Sequence, residues 1–139
     1  MKRTILYLLL TAYLSGCRTY EPRLYGTWKS DANKSVARLE KCRNLSEENK
    51  KSWLQIFGKM EMTFDKASIT CRLPEEEVGM IPYRVLGKNS DTVVIQWIYD
   101  SLLDDKTISF IRLANDGFWI SNGGYVWEFY KKNKTKPNK

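Results

Sequence analysis

The chain has 139 residues, 23 Lys or Arg against 16 Asp or Glu, and no histidine. That length suits one domain with a substantial core. The missing histidine removes the commonest general base, the commonest metal ligand and any Ser-His or Cys-His nucleophile pair.

Lys2 and Arg3 open the chain, and Ile5 to Leu14 is an apolar run broken only by Thr11 and the tyrosines. At about ten residues it has the size of a signal-peptide core and falls short of the roughly 20 that span a bilayer as a helix. Leu14-Ser15-Gly16-Cys17 resembles the lipobox of bacterial lipoproteins. The resemblance implies a signal peptide over residues 1–16, cleavage before Cys17, and acylation of its thiol and its new amine, palmitate-type chains included. An ordinary secretory signal with an incidental cysteine is the alternative. Two or more acyl chains hold a protein on a bilayer where one binds marginally. Arg18, where enteric sorting would read an aspartate as inner-membrane retention, implies the outer membrane, facing the periplasm. Residues 17–23 are then a lipidated tether. Six extended residues, Arg18 to Arg23, reach about 20 Å, so the domain is expected close to the lipid.

With Cys17 lipidated, Cys42 and Cys71 remain. An even pair in an oxidising compartment suggests one disulfide. It would close a loop of about 30 residues and contribute about 3 kcal/mol. Two free buried thiols are the alternative.

Leu24 to Lys29 reads as a short strand containing Gly26, a residue that marks bends in strands. Asp31 is a helix N-cap, with Ala32, Val36, Leu39 and Cys42 on one face. Ser46-Glu47-Glu48 starts a second helix with an apolar stripe of Trp53, Ile56 and Phe57, and Gly58 suits its C′ position. A helical hairpin is thus predicted over about residues 31–58. Lys59 to Asp65 alternates, with Met60, Met62 and Phe64 on one side. Ser68 to Leu73 answers it with Ile69, Cys71 and Leu73. Pro74 to Met80 reads as a loop, Ile81 to Lys88 as a strand, Asn89-Ser90-Asp91 as a turn. Thr92 to Tyr99 is a longer apolar strand. Asp100 to Asp105 is a turn or short helical piece. Lys106 to Leu113 follows, then the hairpin signal Asn115-Asp116-Gly117. Phe118 to Ser121 pairs back, Asn122-Gly123-Gly124 turns, and Tyr125 to Tyr130 closes. Residues 132–139, the end of a Lys- and Asn-rich run without apolar residues, form a basic tail predicted to be disordered, either solvated or resting on anionic headgroups. Nucleic acid is not an expected partner of an exported chain.

The strand count is about eight, antiparallel and joined by short turns. The predicted fold is a mainly β up-and-down barrel over residues 24–131. Gly26-Thr27-Trp28 resembles the G-x-W of lipocalins, where the tryptophan packs across the closed end. Gly-Thr-Trp-Lys followed by two helices and a run of strands is also similar to the fatty-acid-binding branch, which uses the hairpin as a lid. That branch has ten strands and an Arg-x-Tyr carboxylate clamp in its last strand. Here the last strand reads Trp127-Glu128-Phe129-Tyr130, so the clamp is not carried over.

Trp28, Met60, Met62, Phe64, Trp97, Phe110 and Trp127 are the candidate lining of an interior pocket. Alternation also turns Arg112 inward, where it would meet a ligand carboxylate. Barrel-end snorkelling or a bulge would instead turn Arg112 out, and the aromatics could equally be plain core. Two functions follow. One is a membrane-anchored envelope protein that encloses a small hydrophobic or amphipathic ligand without catalysis. The other is a solid barrel acting on a protein partner as inhibitor, immunity or assembly factor, with Pro74 to Met80 as a contact loop. The acidic residues cluster as Glu75-Glu76-Glu77 and Asp104-Asp105, which read as solvated turns. No catalytic residue, metal or cofactor is expected.

Overall fold

The computed structural model describes residues 20–98, 107–122 and 125–134. The predicted signal peptide, Cys17, the turn expected at 100–105, most of the one expected at 122–124 and the last five residues lie outside them. Eight antiparallel strands close a barrel in sequence order: β1 Gly26–Ser30, β2 Glu61–Phe64, β3 Ser68–Leu73, β4 Glu76–Lys88, β5 Thr92–Trp97, β6 Thr107–Ala114, β7 Gly117–Asn122 and β8 Val126–Lys132. Closure comes from β1 pairing with β8, Trp28 opposite Lys132 and Ser30 opposite Tyr130. Two helices, α1 Ala32–Glu40 and α2 Glu47–Leu54, stand between β1 and β2.

The helix starts follow from their caps. Asp31 Oδ1 accepts from the Lys34 N–H at 3.1 Å, and Ser46 Oγ accepts from the Asn49 N–H at 3.3 Å. Gly58 closes the turns after α2 at φ +82°, where a Cβ would sit 2.7 Å from that of Ala32. Gly26 bends the start of β1 at φ +108°. The two helix starts and Gly26 match the sequence expectations, whereas α2 ends at Leu54 with Gln55 as its C-cap, so Ile56, Phe57 and Gly58 stand in the turns after it rather than on its stripe and at its C′ position.

The helical pair does not lie across the barrel as a simple lid. Having only five residues, β1 leaves part of the β8 edge without a strand partner, and α1 covers it. The Phe129 N–H donates to Ser35 Oγ at 2.9 Å, and the Phe129 carbonyl accepts from the Asp31 N–H at 2.8 Å. A sheet edge is thereby satisfied by a helix, which removes a site for unwanted strand pairing. Leu39, Phe57 and Val126 form a small core there, separate from the barrel's own.

Two expectations about strands are corrected. The predicted loop Pro74 to Met80 is mostly strand, because Leu73 pairs with Glu76 and Arg72 with Glu77, leaving only Pro74 and Glu75 as the turn. The glutamates there read as loop, but a half-exposed hairpin tolerates them. One extra residue on β4 fits between Glu77 and Gly79, and Gly79 takes up the bulge at φ +102°. The phase of β6 and β8 is also opposite to the alternation reading. Ile111 pairs with Val93 and Ile120, all fully buried inside, so Ile108, Phe110 and Arg112 face outward. In β8 the inward residues are Glu128 and Tyr130, so Trp127 and Phe129 face outward.

Cys42 and Cys71 are not bonded to each other. Cys71 is buried opposite Met62 inside the barrel, whereas Cys42 follows α1 on the outside. The barrel wall separates them, so the predicted disulfide is not formed.

Candidate functional site

Inside the barrel, the strand pattern brings most of the predicted pocket residues together and then fills the space with them. Phe118 is fully buried and meets three rings: Trp28 edge-on at 5.0 Å, Phe64 edge-on at 5.7 Å and Tyr130 stacked at 5.5 Å. Phe64 also meets Tyr83 at 5.8 Å. Aromatic pairs at these separations add about 0.5–1.5 kcal/mol each beyond their burial. Leu24, from a 3-10 turn at Pro22–Leu24, plugs the end of the barrel, and its carbonyl accepts the Trp28 indole N–H at 2.6 Å. Met62 and Trp97 are also in this core, the Trp97 indole N–H donating to Ser109 Oγ at 2.8 Å. Met60 packs at its margin. Phe110, Arg112 and Trp127 do not belong to it.

The interior also holds a polar group that sequence reasoning missed. Glu128 is 1% exposed. Its carboxylate accepts from the Ser30 hydroxyl at 2.5 Å and the Tyr130 hydroxyl at 3.0 Å, and Ser30 Oγ in turn accepts the Gly58 N–H at 2.7 Å. Burial first, and then the Glu128 charge, push the Cys71 thiol and the Tyr130 phenol above their ordinary values. The network ties β1, β8 and the turn after α2 to one another. A buried carboxylate without such partners would cost several kcal/mol, so it reads as an internal anchor.

The outer wall carries the exposed chemistry. Ile98, Ile108 and Phe110 are each nearly half exposed, as is Leu86 on the neighbouring strand. Val94 pairs with Phe110 and Gln96 with Ile108, so these side chains form a band across β4–β6. A groove of about 640 Å³ lies between α1 and the strands β7 and β8, lined by Arg38, Leu39, Trp119, Tyr125 and Trp127 among others. The Arg38 guanidinium lies over Trp119 at 4.9 Å and over Trp127 at 5.1 Å, and Arg112 lies over Trp127 at 5.7 Å. Beside them Lys34 sits 4.0 Å over the Phe129 ring. Cations within about 6 Å of a ring centroid are held by its quadrupole. Burial, and then the Arg112 charge, lower the pKa of Arg38. Trp119 and Arg38 were not legible as site residues; the available signal was a tryptophan beside Phe118 and a basic residue next to Leu39 on α1.

The third feature is the end where the described chain begins. Glu21 is buried, and Arg23 bonds its Oε1 at 2.7 Å while Lys88 reaches Oε2 at 2.9 Å. Arg23 also donates to the carbonyls of Ser90 and Asn89 at 2.7 and 2.9 Å. The segment after the expected tether is thus clamped to the β4–β5 turn. The Arg23 hydrogen bond, against the cost of burial and with help from Lys88, lowers Glu21 to about 2. A cup of about 910 Å³ at this end is lined by Arg23, Lys29, Lys131, Lys132 and Lys134 together with Trp28. The chain enters and leaves the barrel at this one basic end.

No protein-family model, curated protein or solved structure matches the chain.

Proposed function

We propose that the chain is a lipid-anchored protein of the bacterial cell envelope whose barrel is solid and whose outer wall binds a protein partner, without catalysis. The observation that carries this reading is the interior: Phe118 and its ring partners occupy the space that an enclosed ligand would need. The outer wall supports it as well. Tryptophan and arginine are the residue types on which interface energy concentrates, and here they stand beside exposed Ile108 and Phe110. The competing reading, a carrier of a small hydrophobic or amphipathic ligand, has the barrel in its favour and the occupied interior against it.

The anchor reading rests on Leu14 to Cys17 and gains support from the other end of the tether. Tyr20 to Leu24 are bound into the barrel end that also carries Lys29, Lys132 and Lys134. Lipid on Cys17 would hold that basic end toward the headgroups and leave the α1–β8 wall free to face the periplasm. Two experiments test the proposal. Cells fed an alkyne fatty acid should label the wild-type chain and not Cys17→Ala. A photo-crosslinker at Phe110 should give a discrete adduct in cells that one at Thr70, on the far wall, does not. Equal adducts from both positions, or none from either, would count against the interaction reading.

A further inference from the structure

Several cations of the described residues have a carboxylate partner, but two arginines that share one ring do not. Arg23 meets Glu21, Lys34 meets Asp116 and Lys131 meets Asp31. Arg38 lies over the Trp119 and Trp127 rings and Arg112 over Trp127, and among the described residues neither has a carboxylate partner. Both lie over Trp127, so two like charges share one ring. Ring faces hold a cation in place but do not neutralise it, and each planar guanidinium keeps hydrogen-bond donors suited to a carboxylate. Local repulsion of this kind, kept where a single glutamate on β7 or β8 would relieve it, is expected where an anion arrives from outside. Among the described residues no acidic side chain lines the groove.

We propose that the groove between α1 and β7–β8 is a docking site for an acidic segment of a protein partner, with carboxylate side chains seated on Arg38 and Arg112. The inference rests on the interaction reading above and adds the chemistry of the partner. A bare anion would use the guanidiniums alone. The groove also offers Leu39 and Tyr125, and Phe110 and Ile108 are exposed on β6, the strand that pairs with β7, so it suits a chain that alternates carboxylate and apolar side chains.

The test uses the chain beginning at Arg18, which contains every strand, both helices and both cores. It is titrated with a capped octapeptide of alternating glutamate and leucine, and with its glutamine analogue, by calorimetry. The glutamate peptide is expected to bind at least tenfold more tightly than the analogue, and more weakly as salt rises. Arg112→Gln, on the exposed wall, should lose at least tenfold with an unchanged unfolding midpoint. Arg38→Lys keeps the charge without the planar fork and should also bind less tightly. Equal binding of the two peptides, no binding of either, full affinity in Arg112→Gln, or complete displacement by equimolar inorganic phosphate would each overturn the inference. A crosslink from Phe110 that survives in Arg112→Gln would leave the interaction reading standing while removing the acidic partner; loss of the crosslink in the wild-type chain would remove the reading itself.

Discussion

Replacing Phe118 with alanine tests whether the barrel interior is packed. The side chain is fully buried at the centre of the ring cluster, within 5.0–5.7 Å of three other rings by centroid. Truncating a buried phenylalanine costs about 3–5 kcal/mol, from lost transfer energy and the void left behind. Three ring contacts, each worth about 0.5–1.5 kcal/mol beyond area, place this position near the top of that range. The expected loss is about 4–5 kcal/mol. It would be read from urea unfolding of the chain from Arg18, followed by tryptophan fluorescence, with an unchanged slope on denaturant. The void should be apolar and dry, so benzene should restore part of the stability of Phe118→Ala and leave the wild type unaffected. A loss of about 1 kcal/mol or less, or stabilisation of the wild type by benzene, would mean that the interior already holds a cavity.

Other consequences can be checked separately. Glu21 has a folded-state pKa lowered to about 2 from an ordinary value of 4.5, so its contribution is present above pH 4.5 and is lost as pH falls toward 2. That contribution is at most about 3 kcal/mol; acid titration of stability should show it in the wild type and not in Glu21→Gln. Gly117→Ala should cost at least about 3 kcal/mol, because a Cβ there would run into the Tyr130 carbonyl and come within 2.8 Å of Phe129 Cζ. Ser35→Ala leaves the Phe129 N–H without its partner and should cost about 1–3 kcal/mol, with faster hydrogen exchange at that amide. A thiol reagent should label Cys42 in the native chain and Cys71 only after unfolding, since Cys71 is buried and its thiol is harder to ionise.

Much of the architecture was legible because its local signals agree with one another. Asp31, Ser46 and Gly58 punctuate the helical pair, Asn115-Asp116-Gly117 marks the β6–β7 turn, and Gly26 with Trp28 starts the first strand inward. The functional surface was less legible, for a specific reason. Strand phase was read from hydrophobicity, but Ile108 to Leu113 is apolar on both faces except for Ser109 and Arg112. Only the pairing of Ile111 with Val93 and Ile120 decides which face is inside. In β8 the phase is inverted outright. α1 covers the outward Phe129, and the inward Glu128 is satisfied by Ser30 and Tyr130, a residue 98 positions away in the first case. No local pattern encodes such a partner. The same inversion moved Phe110, Arg112 and Trp127 from an expected pocket to an exposed wall.

The most direct test of the solid barrel is native mass spectrometry of the chain from Arg18, purified from the periplasm without detergent and then mixed with fatty acids of graded length. The packed interior predicts a clean apo mass and no uptake at any length. A stoichiometric adduct, carried through purification or acquired on mixing and lost in a variant of Trp97 or Met62, would contradict it and return the barrel to the role of a carrier.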